Sequence, residues 1–577
     1  MKQLTRYFKG YYKELILGPV FKLAEAVLEL FIPLLMANII DIGIKNGDKA
    51  YIVTHGLRML LLGAVGLCFA LICQYFAAVC AQGFGRSLRK SLFRHVFGLS
   101  EAETGTLGIN SLITRLTNDV NQVQTGVNMF IRLAVRAPFL AIGSVVMAIG
   151  INPEIGIIFL ISTPLIVAVL YVIMRRSVPF YVEIQTKQDG IARLAGENLA
   201  GARVIRAFSK QESEMRQFNA ASDALADAMM RVGKISMALN PITSVIVHVA
   251  IVAIIWFGGG MVNGGALTQG ALLALVSYMT QTLLALIVLA NLIVIFTKAI
   301  ASAHRVCAVF DTECSMSMPE KSAATDENAP CIAFENVSFS YPHSGENALQ
   351  NISFTLQKGE TLGIIGGTGC GKSTLVKLLA REYDAGSGRV LLHGVDVKEM
   401  TAAALHAKIG LVPQTAMLLS GSVRDNLRLG APQADDAALW QALATAQGKE
   451  FVEKMPDGLD THIAEGGKNL SGGQKQRLTI ARALVTQPEI LVLDDAASAL
   501  DYATDAALRK ALKSTEKAMA VIFISQRAAT LKHANHILVL EDGNAAGFGT
   551  HAQLLASCEI YREICASQGI ARNEAIR

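Results

Sequence analysis

Gly366-Gly367-Thr368-Gly369-Cys370-Gly371-Lys372-Ser373-Thr374 fits the pattern G-x-x-x-x-G-K-[ST], and its flanks decide how it reads. The continuous apolar run from Leu362 to Ile365 predicts a buried strand entering the loop, and Leu375 to Ala380 predicts a helix leaving it. Strand, glycine loop and helix in that order predict an α/β domain whose loop cradles phosphates. Glycines lack a Cβ, so successive backbone N–H groups can curl round phosphate oxygens while the following helix points its positive end at the same charge. In this reading Lys372 neutralises the β- and γ-phosphates of a bound nucleotide and the Ser373 hydroxyl ligates Mg²⁺. The Cys370 thiol is expected inside the cradle, open to small maleimides when the site is empty and shielded by ATP.

The rest of the chain is of a different character. With 577 residues, 52% hydrophobic and only 17% charged, it is too long for one core and too apolar for a soluble protein of that size. Long apolar stretches fill the first half, and short strands, helices and charged loops follow from about residue 330. The formal charge of +5 comes without a basic run interleaved with aromatics, so nothing points to nucleic acid as a partner. Nine cysteines without metal-ligand spacing argue against a disulfide framework or a zinc site. Cys68, Cys73 and Cys80, in an apolar helix, read as packing residues.

Stretches long enough to cross a bilayer, about 20 residues each, lie near 20–44, 57–82, 133–151, 155–174, 242–262 and 271–297. The connections Asn152-Pro153-Glu154 and Asn263 to Gly270 carry no Lys or Arg, whereas 83–132 and 175–241 carry many, among them Arg86, Arg89, Arg175, Arg203 and Arg206. The positive-inside rule then puts both long connections and both termini in the cytoplasm. The loop with Lys45 and Lys49 departs from that bias. Both long connections are helical in pattern, so the spans are expected to run on into the cytoplasm. Leu4, Phe8, Tyr11 and Leu15 recur at helical spacing and predict an amphipathic helix on the membrane surface, broken at Gly18-Pro19. Glu25 and Glu29, one turn apart in the first span with Lys22 one turn before, are candidate cargo residues; pairing of Lys22 with Glu25 is the plainer reading. Asp41 reads as structural. The polar stretch from Ser315 to Pro330 reads as a linker, which divides the chain into 1–314, 315–330 and 331–577.

Further motifs carry a resemblance. Leu470-Ser471-Gly472-Gly473-Gln474 precedes a helix, and sixteen residues after Gln474 begins Ile490-Leu491-Val492-Leu493-Asp494, an apolar strand ending in a carboxylate. With the phosphate loop upstream, this order resembles the ABC exporter family over nearly the whole chain. The resemblance implies six spans with long cytoplasmic helical extensions fused to an ABC-type α/β nucleotide-binding domain, and an ATPase-coupled exporter in the plasma membrane. It also implies roles for single residues. Tyr341 would stack on adenine; Gln414 and Asp494 would join Ser373 at Mg²⁺; Ser471 to Gln474 would clasp the γ-phosphate across a dimer interface; Asp501, in Ser498-Ala499-Leu500-Asp501, would communicate between paired sites. Ser111 to Val120 and Glu197 to Phe208 resemble the family's intracellular coupling segments, and Thr461 to Gly467, with Glu465, the segment that touches them.

Two positions depart from the family pattern. Asp495 stands where hydrolytic members carry Glu, and Gln526 where they carry a His that contacts the γ-phosphate. The shorter carboxylate falls back from an attacking water by about 1.5 Å, and Gln cannot carry an imidazole's charge. The expectation is therefore a half-transporter whose own ATP site is weak, paired in the bilayer with a second half-transporter chain and moving small drug-like or lipid-like cargo. A slow homodimer and an ATP-gated regulatory membrane protein are the alternatives.

Overall fold

The computed structural model describes residues 2–317, 319–342, 344–496, 498–514 and 518–570, and the chain forms two compact units. A helical unit comprises 1–97 and 108–312, and an α/β unit comprises 98–107 and 313–577.

Among the described residues, six helices are long and apolar enough to cross a membrane: Tyr12–Ile44, Lys49–Val96, Ile109–Ile151, Pro153–Ala200, Gln211–Asn263 and Gln269–Phe310. A helix such as Lys49–Val96, with 48 residues, is about 72 Å long at its usual rise, more than twice the roughly 30 Å of a hydrocarbon core. The two long connections are therefore helical, as their patterning predicts. Short turns separate the spans where capping residues occur in the sequence. Asn152 accepts the N–H groups of Glu154 and Ile155 at 3.0 and 3.1 Å before Pro153 opens the next helix, and Thr268 accepts that of Ala271 at 3.2 Å. Short helices, Glu101–Leu107 and Ala202–Ala207, stand at the turns of the long connections. Ser111 to Val120, singled out from the sequence, lies beyond the first of these, on the returning helix.

The N-terminal reading needs correction. Residues Lys2–Phe8 form a 3₁₀ helix that turns at Gly10, where φ is +98°, and the first long helix then runs unbroken through Gly18-Pro19. Gly18 serves close packing instead, since a Cβ there would lie 2.5 Å from Ile131. Leu4 and Tyr7 are buried, and Phe8 stacks on Phe84 at 4.6 Å, so this apolar face is turned to protein rather than lipid. Cys73 and Cys80 are packed as expected, while Cys68 is exposed. Asp41 is structural: its carboxylate accepts the Gly270 N–H at 2.7 Å in the first turn of the sixth helix, where the helix dipole favours an anion.

In the α/β unit the spatial order Asn544–Gly549, His536–Glu541, Thr361–Gly366, Ala520–Ile524, Ile490–Asp494, Ile409–Val412 makes a six-stranded sheet, parallel except for its first edge strand. The parallel strands are almost wholly buried, which is why they read as continuous apolar runs. Ile524 is in register with both Ile364 and Asp494, so three central strands end together and deliver their following loops to one edge. A second, antiparallel sheet includes Leu349–Leu356, Ile332–Phe339 and Ser387–Leu392. The polar stretch 315–330 is irregular, yet it is strapped to this unit: Arg381 donates to the Ser317 carbonyl at 2.8 Å, and Asp326 N–H to the His393 carbonyl at 3.0 Å.

Candidate functional site

The edge where the three strands end holds a cleft of about 420 Å³ lined by Tyr341, Thr368, Gly369, Gly371, Lys372, Ser373, Thr374, Gln414, Asp494, Asp495, Ser525 and Gln526. Residues from five separate stretches of the sequence thus meet. Gly369 and Gly371 take φ of +84° and +101°, which allows the loop to curl before the helix Lys372–Leu379 begins. Gly366 is required by packing, since a Cβ there would lie 2.2 Å from the Leu540 carbonyl oxygen. Gly367 is open on that side, with nothing within 4 Å. The Lys372 ammonium folds over the loop and donates to the carbonyls of Gly366 and Gly367 at 3.0 and 2.5 Å.

Cys370 departs from its expected place. Its backbone belongs to the loop, but its thiol is buried in the core shared with Ile364, Leu375 and Leu540. The thiol is not among the groups lining the cleft, although the Lys372 ammonium donates to it at 3.5 Å.

Across the cleft, Asp494 is 9% exposed and accepts a hydrogen bond from the Ser373 hydroxyl. Burial pushes its carboxyl above the usual range, partly offset by that bond and by Lys372, and the neighbouring charge of Asp495 adds to the rise. Asp495 is also raised by burial, against the pull of Arg527 and Lys372 and a hydrogen bond from Gln414. Asp495 takes the left-handed conformation, φ +47°, and its N–H bonds the Ile524 carbonyl at 3.0 Å, which joins it to the strand before Gln526. Tyr341 follows the strand Ile332–Phe339, and its ring meets Phe339 and Tyr383 edge-on. Sequence reasoning does not single out Arg527, whose guanidinium lies 5.2 Å from the Tyr502 ring centre, nor Ser525, buried with its hydroxyl accepting the Arg527 N–H. Their adjacency to Gln526 was the available signal.

The segment Leu470 to Gln474 does not line this cleft. Ser471 caps the helix Gly472–Val485 in a reciprocal pair with Gln474, Ser471 N–H to the Gln474 amide oxygen at 2.9 Å and Gln474 N–H to the Ser471 hydroxyl at 3.3 Å. Ser471 is exposed and a Cβ on Gly472 would meet nothing, so the start of this helix is a bare surface. Leu470 anchors the segment against the core, and Asp501 caps the helix Tyr502–Lys513 by accepting the Thr504 N–H at 3.3 Å.

In the helical unit, Lys22 donates to both oxygens of Glu25 at 2.8 and 2.6 Å, the plainer of the two sequence readings. Glu29 is held at 2.7 Å by Arg136 of the third span.

The comparisons agree with this geometry. The family "ABC transporter transmembrane region" matches residues 15–286, and "ABC transporter" matches 349–498. An ABC transporter ATP-binding protein of Mycobacterium tuberculosis is 36% identical over 572 residues, covering 98% of each chain. The probable multidrug resistance ABC transporter ATP-binding/permease protein YheI of Bacillus subtilis is 32% identical, over 98% of this chain and 96% of its own. A bacterial Atm1-family ABC exporter solved with ATP bound superimposes with a TM-score of 0.78 at 25% identity, over 98% of both chains. The chain therefore belongs to the ABC transporters and is an exporter half-transporter, a multi-pass membrane protein with six spans and a cytoplasmic ABC ATPase domain that binds ATP.

Proposed function

We propose that this chain pairs with a different half-transporter to export small amphipathic molecules, drug-like or lipid-like, and that its own ATP site binds nucleotide firmly but hydrolyses it slowly. The observation that carries the reading is the pair Asp495 and Gln526 in a cleft whose binding elements are otherwise complete. A carboxylate set back by one methylene from an attacking water costs about 10²-fold in rate. Gln526 can hydrogen-bond a phosphate but brings no positive charge. Ser471 to Gln474, outside the cleft and with Ser471 and Gly472 exposed, would complete the partner's site, which supplies Glu and His. The names of two Bacillus subtilis relatives, a probable multidrug resistance protein and a putative multidrug export protein, favour the cargo class.

The cleft suits Mg²⁺. Ser373 hydroxyl, Asp494 carboxylate and Gln414 amide oxygen are hard donors, and too few to hold a metal without phosphate oxygens, as that ion prefers. When bound, Mg²⁺ supplies charge neutralisation to the β- and γ-phosphates. Lys372 adds a second positive charge, and the loop amides orient the phosphate chain.

The test compares ATP turnover of this chain alone and co-purified with the product of the adjacent gene. The pair should be much the faster; Asp495→Gln should slow it only modestly, and Ser471→Arg should nearly abolish turnover. Full activity of the chain by itself, or the reverse order of the two variants, would show that hydrolysis occurs at its own site.

A further inference from the structure

The α/β unit has a second cleft, of about 350 Å³, toward the ends of the strands opposite to those that carry the ATP site. Its floor is apolar, made by Leu512, Met519, Val521 and Phe523. Its rim is polar and cationic, with Lys513, His533, Asn535 and Arg509, and no acidic side chain is among the described residues that line it. An apolar hollow with a few convergent polar groups, at the small end of about 300–1,000 Å³, is the usual form of a small-molecule site.

The acids nearby are engaged elsewhere. Buried Asp505 holds Arg509 at 2.9 Å, and Arg509 also donates to the Thr530 carbonyl at 3.2 Å. Glu360 and Glu489 precede the strands on either side of Ala520–Ile524. Glu360 accepts the Gln357 N–H at 2.8 Å, and Glu489 pairs with His393 and Lys408 at 2.7 and 2.8 Å. With Arg509 set against Asp505, Lys513 and Lys532 are left exposed and without an ion pair among the described residues. The last turn of its helix also suits the charge of Lys513, but its ammonium stays open to a ligand. His533 registers the surplus: partial burial, and then Lys532, Lys513, Arg509 and His551, all lower its pKa from the usual value. Asn535 accepts the Thr361 N–H at 2.8 Å through its amide oxygen, so its NH₂ group can still donate. Because Arg509 is occupied, no guanidinium fork remains for a dianionic phosphate, and a single carboxylate matches what is left.

We propose that this cleft binds a small amphipathic carboxylate, its head group held by Lys513, His533 and Asn535 and its apolar body on Met519 and Phe523. The site is separate from the ATP cleft but built on the same elements. The helix Tyr502–Lys513 begins beside Asp501 and the strand Ala520–Ile524 leads to Gln526, so an occupant touches the far ends of both.

Full-length protein in nanodiscs, its ATP cleft filled with a non-hydrolysable ATP analogue, is titrated with 4-(trifluoromethyl)benzoate and with 4-(trifluoromethyl)benzylammonium. Fluorine NMR line widths read binding, against empty nanodiscs. The benzoate should bind about tenfold more tightly, the combined worth of two exposed cations. Lys513→Gln should weaken it about fivefold and Lys513→Arg should keep most of the affinity, which separates loss of charge from loss of shape. Ala518→Phe, which puts a ring into the cleft from an exposed lining residue, should abolish saturable binding of the benzoate. Unchanged affinity for the ATP analogue in all three variants shows that the unit is folded. Equal or tighter binding of the ammonium probe, benzoate binding that neither Lys513→Gln nor Ala518→Phe moves, or no saturable benzoate binding at all overturns the site.

Discussion

The hydroxyls of Tyr341 and Thr374 lie 3.0 Å apart, so the aromatic ring after the strand Ile332–Phe339 is tied to the helix that leaves the phosphate loop. Edge-on contacts with Phe339 and Tyr383, at 5.0 and 5.4 Å, fix the plane of the ring. If the ring face carries adenine, Tyr341→Ala should weaken binding of a fluorescent ATP analogue by about tenfold, a typical worth for base–aromatic stacking. Tyr341→Phe should change it by less than about threefold, the scale of one neutral hydrogen bond. Equal losses in both variants would place the function in the hydroxyl tie and not in the face.

Cys370 should resist small maleimides with and without ATP, because its thiol is buried in the core beneath the Lys372 ammonium. Mass spectrometry of the labelled protein checks this directly, with exposed Cys314 as the positive control. Rapid labelling that ATP prevents would return the thiol to the cradle.

Restoring the two departures should restore chemistry. Asp495→Glu combined with Gln526→His should raise hydrolysis at this chain's own site by about 10²-fold, since each change returns a group to the reacting end of the cleft. Single-turnover measurements on protein whose partner site is disabled would read it. An unchanged rate would mean that the slow step lies elsewhere.

Asp41 and Gly270 join the first and sixth spans. Asp41→Ala leaves the Gly270 N–H without its acceptor and should cost about 1 kcal/mol, the usual worth of such a cap. Gly270→Ala should cost more, because its methyl would lie 2.2 Å from the Ala37 carbonyl oxygen and the two helices would have to separate. Thermal midpoints in detergent should fall in the order wild type, Asp41→Ala, Gly270→Ala.

What could be read beforehand was whatever is local in the chain. Spans announce themselves by length and apolarity, and Gly366 to Thr374, Ser471 to Gln474 and Ile490 to Asp494 by short-range pattern. Pairings across long separations leave no such trace: Glu29 finds Arg136 and Asp41 finds Gly270 only once the helices pack. Gly18-Pro19 misled because a breaker pair is a statement about propensity, and close packing on Ile131 overrides it. The turn fell instead at Gly10, the residue with positive φ. Cys370 misled because a pattern names a position in a loop without saying to which side its side chain turns.

Ten residues, Gly98 to Leu107, fold with the α/β unit although they lie in the midst of the spans. Glu103 binds them in place, accepting N–H groups from Ser100 at 2.9 Å and from Ser315 at 3.2 Å. Modular order and gene order therefore differ. A ribosome finishes this piece long before the rest of its unit emerges, so the short helix waits, half-made, for a scaffold translated later. A fragment begun at residue 313, or a chimera that exchanges the C-terminal half with a relative, would lack one of its own parts or inherit a foreign one, and the graft has to carry residues 98–107 along with it.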